Sequence, residues 1–165
     1  MAKIIFAAIR DYVMALPQTP ILGVDIHSFA NMLLYSYGYK ANTFPDNIDE
    51  IRELGERAAK KITGMKAVVA ADLGYPASGA VDDWMRGKAC IRFVYTFELP
   101  GFDQEFHPDE KHIYPTAVQT RDSINVMLEH MLGLDKADKS GRTQKKPCDI
   151  SGNGASVPIG VGPAL

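Results

Sequence analysis

Residues 91–99 read IRFVYTFEL, and this stretch decides the fold. Its apolar and β-branched side chains follow one another almost without interruption, as is typical of a strand covered on both faces of a sheet. The run ends in a single carboxylate, Glu98, before Leu99. Because a carboxylate is costly to desolvate, its place at the end of an apolar strand indicates a functional group. Glu98 is therefore the first candidate for a catalytic residue.

The segment before this strand combines a turn with an acidic pair. Residues 75–79 read YPASG, a run of small residues and proline that favours a turn. Asp82 and Asp83 then precede Trp84, the only tryptophan of the chain. Acidic residues are favoured in the first turn of a helix, so residues 81–83 could simply form an exposed helix N-terminus.

Helical and strand patterns alternate along the rest of the chain, which predicts an α/β fold. Asp46 or Asn47 is expected to cap the second helix, and Gly64 to end it. The predicted helices cover residues 3–16, 48–63 and 116–133, and the predicted strands cover residues 21–26, 32–35, 67–71 and 91–99.

Composition indicates one globular domain followed by a tail. The chain has 165 residues, of which 46% are hydrophobic and 23% are charged, and its formal net charge is −2. This charge argues against a general electrostatic grip on nucleic acid or an anionic membrane. Residues 135–165 are rich in Lys, Ser, Gly and Pro and are predicted to be a disordered polar tail, which leaves residues 1–134 as the domain. Cys90 and Cys148 allow at most one internal bridge and leave the redox compartment open.

Five segments together carry a resemblance to a known family. They are residues 24–28 (VDIHS), 33–39 (LLYSYGY), 75–79 (YPASG), 95–99 (YTFEL) and 113–117 (IYPTA). In this order, and at near-family spacing, they resemble the C-terminal half of the catalytic domain of pancreatic-type zinc carboxypeptidases, the carboxypeptidase A and B family. The resemblance implies part of a mixed eight-stranded sheet flanked by helices, with about four strands in this chain.

The resemblance also implies a chemistry for two of these residues. In the family a zinc ion, held by three protein ligands, assists removal of the C-terminal residue of a peptide. His27 matches the third zinc ligand, and Glu98 matches the general base that takes a proton from water. Without the motif, His27 would be interpreted as a structural histidine and Glu98 as an ion-pair partner.

Four further residues match substrate-binding positions. Ser28 matches a residue whose backbone helps to seat the substrate, Tyr75 the tyrosine that closes over the bound C-terminus, and Phe106 a pocket-lining aromatic. Asp82 matches the residue that projects into the specificity pocket. A carboxylate there implies a preference for C-terminal Lys or Arg, because it gives a buried cation a charged hydrogen-bond partner.

The family's other zinc ligands, a His-x-x-Glu pair, lie upstream of the segment that this chain matches. A single imidazole does not hold zinc, so the chain by itself is expected to be inactive. The strand over residues 91–99 is expected to be an uncovered sheet edge, through which the chain associates with another. The alternative function is a non-catalytic truncated product that binds peptides or a partner protein.

Three other expectations concern histidines and location. His107 and Glu110 have His-x-x-Glu spacing, and His112 is near, but the Pro-containing loop favours a solvated surface over a zinc site. His130 is expected to be a surface residue. Family members are usually secreted, which implies an extracellular location; the apolar start of the chain is cut short by Arg10, which favours a helix over a signal peptide.

Overall fold

The computed structural model describes residues 2–73, 75–104 and 106–138. Four α-helices and four β-strands alternate along the chain, with three short 3₁₀ turns at residues 70–72, 102–104 and 110–112. The α/β class predicted from the sequence is confirmed. In chain order the elements are α1 (Ala2–Ala15), β1 (Leu22–Ser28), β2 (Met32–Tyr35), α2 (Ile48–Ala59), β3 (Lys66–Val69), α3 (Val81–Gly87), β4 (Phe93–Leu99) and α4 (Ile113–Asp138).

The sheet is mixed and has the strand order β1-β4-β2-β3. Strand β4 pairs in parallel with β1 and antiparallel with β2, and β2 pairs in parallel with β3. The expectation that the strand over residues 91–99 is an open edge is wrong, because β4 has a neighbour on each side. Strand β1 takes the edge position instead, and Ile26 on it is 53% exposed.

Helices cover the two faces of the sheet, and the alternation of side chains along β4 assigns a core to each face. Phe93, Tyr95 and Phe97 are fully buried in the larger core, which α2 and α4 complete. Val94 points the other way and packs in a smaller core near Trp84 of α3 and Val13 of α1. The continuous apolar character of β4 therefore follows from its burial on both faces.

Polar contacts fix the helices on the larger core. The Tyr95 hydroxyl donates a 2.8 Å hydrogen bond to the carbonyl of Ile51 in α2, and the Ser123 hydroxyl of α4 donates one of 2.8 Å to the carbonyl of Ala58. Each bond satisfies a buried hydroxyl that would otherwise be costly. The two contacts tie both helices to the sheet.

Helix boundaries differ from the predicted ones where backbone turns intervene. Helix α2 ends at Ala59 because tight turns follow, with Gly64 beyond them at φ +74°. Asn47 occupies the N-cap position but makes no capping bond, since its side-chain amide donates to the carbonyl of Arg92 instead. Helix α4 continues to Asp138, and the rest of the predicted tail, residues 139–165, lies outside the described residues.

An ionic cluster joins α2, α4 and the start of β4. Glu50 lies 2.8 Å from Arg92 and 3.4 Å from the Nε2 atom of His130. The side chain of His130 is 22% exposed and packs edge-on against Phe93, so the prediction of a surface histidine is wrong. Within the described part of the chain, no helix combines the length and the apolar character needed to cross a membrane.

Candidate active site at the ends of two strands

The proposed zinc ligand and the proposed base lie at the carboxyl ends of neighbouring strands. His27 of β1 is the direct partner of Glu98 of β4 in the parallel register. Paired residues of parallel strands share one face of a sheet, so both side chains lie on the face that α3 covers. The sheet therefore brings these two residues together, although 71 positions separate their numbers, 27 and 98.

A third residue fixes the orientation of the imidazole. The Nε2 atom of His27 lies 2.7 Å from Oδ2 of Asp25, two positions earlier on the same strand and face. The other carboxylate oxygen of Asp25 accepts the backbone N–H of Ile26 at 3.0 Å. The side chain of His27 remains 54% exposed, whereas that of Asp25 is 26% exposed. The imidazole is thus held through one nitrogen while much of its ring faces outward.

The charges of the cluster shift its titrations. The hydrogen bond to Asp25 raises the pKa of His27 against the opposing effect of partial burial, and the charges of Asp25, Glu98 and Asp82 add to the rise. Partial burial raises the pKa of Glu98, with a contribution from Asp25 and an opposing one from His27. A carboxylate with a raised pKa is a better proton acceptor for general-base chemistry.

The acidic pair at the start of α3 is buried, not exposed. Asp82 is 5% exposed and Asp83 is 6% exposed, so the alternative of a solvated helix N-terminus is wrong. Burial raises the pKa of Asp82, and the charge of His27 opposes this rise. Asp82 is therefore close enough to the strand ends to share their electrostatic field.

Asp83 has a different role, which the sequence did not reveal. Its two carboxylate oxygens accept the backbone N–H groups of Gly38 and Tyr39, each at 2.9 Å. Burial raises the pKa of Asp83 to about 6, although these two hydrogen bonds oppose the shift. Asp83 braces the loop after β2, and Asp82 beside it is left to face the cluster.

The other predicted substrate-binding residues lie apart from the cluster. Tyr75 is 71% exposed on the loop before α3. Ser28 and Phe106 line an open groove of about 670 Å³ beside α4, on the opposite face of the sheet from His27. Phe106 packs edge-on against Phe29, with ring centroids 4.7 Å apart, and is 63% exposed. The structure thus brings together His27, Glu98 and Asp82, with Asp25 added to them.

The donors present fit part of a zinc site. His27 offers a partly exposed imidazole with one nitrogen engaged by a carboxylate, which is how metal-binding histidines are commonly oriented. Within residues 2–73, 75–104 and 106–138, no group of three or more His, Cys, Asp or Glu side chains is arranged to hold a metal ion. This includes the loop with His107 and Glu110, where His112 stacks on Phe102 at 3.8 Å.

Asp25 escaped the sequence analysis, although the sequence held a signal for it. Residues two apart on a strand share a face, so the order Asp25-Ile26-His27 already places the carboxylate next to the imidazole. No comparable signal separates the roles of Asp82 and Asp83, because both are acids in the first turn of the same helix.

Comparison with known proteins gives one consistent family. Residues 3–123 match the family described as zinc carboxypeptidase. Mouse carboxypeptidase A4 is 32% identical over 114 residues, which are 66% of this chain and 27% of that protein. Bovine carboxypeptidase B is 33% identical over 115 residues, again 66% of this chain and 27% of that protein. The chain spans about 27% of the length of these curated relatives.

Solved structures agree with this assignment. The carboxypeptidase A from Helicoverpa armigera superposes with a TM-score of 0.61 at 27% identity, covering 73% of this chain and 32% of that one. Bovine thrombin-activatable fibrinolysis inhibitor, solved with tick carboxypeptidase inhibitor, gives a TM-score of 0.68 over 77% of this chain and 45% of that one. The latter is 19% identical and shows the fold alone.

Proposed function

This chain belongs to the zinc carboxypeptidase family, and we propose that it supplies one zinc ligand, the general base and the specificity acid of an enzyme that removes the C-terminal residue of peptides. The observation that carries this proposal is the pairing of His27 with Glu98 at the ends of two parallel strands. In this reading His27 is the metal ligand and Glu98 the catalytic base. The pairing gives both groups a common side of the sheet from which to reach one substrate.

Each group has a defined task in the hydrolysis of a peptide bond. Bound zinc supplies an electrophile that acidifies water and polarises the scissile carbonyl. Glu98 accepts a proton from the attacking water and returns it to the amine that leaves, so the proton balance closes within one residue. Its partial burial and raised pKa support this role. Ser28 and Phe106 contact the substrate, and Tyr75 closes over it from its exposed loop.

We assign the preference for a basic C-terminal residue to Asp82. Burying a guanidinium or an ammonium group requires a charged partner, and a carboxylate that is itself 5% exposed offers one with little competition from water. Asp83 does not compete for this task because Gly38 and Tyr39 occupy both of its oxygens.

The isolated chain is expected to be inactive. A catalytic zinc site needs about three protein ligands, and the described residues place no such set together. The missing ligands must come from another polypeptide segment that reaches the ends of β1 and β4. We also propose an extracellular location, which rests on family resemblance.

The test compares this chain with a chimera in which it replaces the matched segment of bovine carboxypeptidase B. We expect the chain alone to bind well under one zinc per molecule and to release no C-terminal Arg from a peptide. The chimera is expected to bind about one zinc and to release Arg. Substitution Glu98→Gln should lower its kcat by about 10² to 10⁴-fold at unchanged zinc content.

The matched control for this experiment is Glu53→Gln, which makes the same chemical change on the exposed side of α2. It should leave turnover unchanged. A folded, zinc-loaded chimera whose turnover survives Glu98→Gln would remove the assignment of the base.

A second candidate function is a non-catalytic module that binds a partner through strand β1. The observation that favours it is the open edge of β1, where Ile26 is 53% exposed. Unpaired backbone groups on such an edge can accept a further strand. Light scattering should then show concentration-dependent association that Ile26→Lys weakens, without any zinc or turnover; a chain that stays monomeric contradicts this alternative.

A further inference from the structure

We propose that Asp25 is a positioning residue that holds the neutral His27 ring with its proton on Nε2, so that Nδ1 keeps the lone pair that a metal ion requires. The proposal rests on the proposed role of His27 as a zinc ligand. Asp25 touches neither substrate nor metal in this view; it acts through the imidazole.

The geometry supplies the first step of the argument. The 2.7 Å separation between Oδ2 of Asp25 and Nε2 of His27 is short for a nitrogen–oxygen pair, as charge-assisted hydrogen bonds are. Oδ1 of the same carboxylate accepts the backbone N–H of Ile26 at 3.0 Å. With both oxygens engaged, the carboxylate cannot rotate without losing one of the two bonds. The imidazole therefore meets a fixed acceptor.

The chemistry of the two groups gives the second step. An ionised carboxylate only accepts hydrogen bonds, so Nε2 must be the donor. A neutral imidazole carries one proton, and a proton on Nε2 leaves Nδ1 as the acceptor. The contact with Asp25 thus selects one of two tautomers, and it is the tautomer in which Nδ1 can bind a cation.

The same contacts predict an inverted result for Asp25→Asn. The Ile26 N–H requires an oxygen at the Oδ1 position, which leaves the NH₂ group of the new amide facing Nε2. An NH₂ group donates, so Nε2 must then accept, and the proton moves to Nδ1. Asp25→Ala removes the partner altogether and should leave a mixture of the two tautomers.

The experiment is nuclear magnetic resonance of the chain labelled with ¹⁵N-histidine, at a pH where His27 is neutral. Two-bond nitrogen–proton correlations distinguish the tautomers, and the variant His27→Gln assigns the signal. We expect the wild-type ring to be protonated on Nε2 and the Asp25→Asn ring on Nδ1. Asp49→Asn, at a carboxylate paired with Arg52 in α2, is the matched control and should leave the tautomer unchanged.

Two outcomes would overturn the proposal: a wild-type His27 protonated on Nδ1, or a folded Asp25→Asn chain whose His27 keeps the wild-type tautomer. If Asp25→Asn does not fold, an Asp25→Ala chain with an undiminished Nε2 preference has the same force. None of these measurements needs zinc or turnover. A confirmed tautomer in a chimera without zinc or peptidase activity would therefore count against the proposed function and not against the role of Asp25.

Discussion

The His27 imidazole and the Glu98 carboxylate occupy paired positions of two parallel strands, on the face of the sheet that also carries Asp25. The hydrogen bond to Asp25 is the largest cause of the raised pKa of His27, and the charge of Glu98 adds to it. In return, the charge of His27 opposes the rise that burial causes in the pKa of Glu98. The two residues therefore titrate as neighbours, which makes their juxtaposition measurable without any substrate.

The first prediction uses this coupling. Glu98→Gln removes a negative charge beside the imidazole, so the pKa of His27 should fall relative to wild type. A histidine whose pKa is raised by folding stabilises the protein below its unfolded pKa of about 6.5, and this contribution is lost as the pH rises through the folded pKa. The variant should therefore show a smaller loss of stability over that pH range. Histidine titration by nuclear magnetic resonance provides the measurement, and a His27 pKa unaffected by the substitution contradicts the geometry.

The second prediction concerns Asp82 in the chimera with bovine carboxypeptidase B. Asp82→Asn keeps the size of the side chain but removes its charge, and a hydrogen bond to a charged group contributes about 1.5 to 3 kcal/mol. We expect kcat/KM for C-terminal Arg to fall about 10 to 100-fold while that for C-terminal Leu changes little.

The control for this prediction is the remainder of the enzyme. The same pair of measurements in a chimera built on mouse carboxypeptidase A4 tests whether the basic preference travels with this chain. A preference for Arg that persists after Asp82→Asn would assign the pocket acid to another residue.

The third prediction concerns Asp83. Its pKa is raised by folding to about 6, so the native state binds more protons than the unfolded state between about pH 4 and pH 6. Such a contribution is complete at the acidic end of this range and is lost as the pH rises. The stability of wild type relative to Asp83→Asn should therefore decrease from pH 4 to pH 6, which urea unfolding at several pH values measures.

Removing the Asp83 carboxylate should also cost stability at neutral pH. Asp83→Ala leaves the N–H groups of Gly38 and Tyr39 without their acceptor, and an unsatisfied buried donor costs about 1 to 3 kcal/mol. The exposed Asp49 serves as the control, since its substitution by Ala should cost less than about 1 kcal/mol. Equal losses at the two positions would exclude a bracing role for Asp83.

The fourth prediction compares two glycines. A methyl group on Gly101 would lie 2.6 to 2.8 Å from three carbon atoms of Phe29, which itself packs on Phe106. Gly101→Ala should therefore destabilise the protein by about 1 to 3 kcal/mol and disturb the groove beside α4.

Gly133, inside α4, is the matched position. A methyl group there meets nothing within 4 Å, so Gly133→Ala should stabilise the helix by up to about 1 kcal/mol. Thermal unfolding of both variants is the measurement, and a stabilising Gly101→Ala would show that Phe29 is free to move.

Local sequence was sufficient for much of this protein. Apolar runs and helical periodicity located all four strands and the three longer helices, because burial of one face imposes a period on the side chains. The order of five short motifs identified the family, which the match over residues 3–123 confirms. Glu98 and His27 were visible as candidates because each ends an apolar strand.

Only the tertiary structure decided which strands are neighbours and which acids are buried. Strand β4 lies inside the sheet and β1 at its edge, because pairing depends on how the chain crosses between strands and not on the pattern within one. Asp82 and Asp83 are adjacent in sequence, yet only Asp83 meets the backbone of Gly38 and Tyr39. Long-range contacts of this kind leave no periodic signal in the residues that make them.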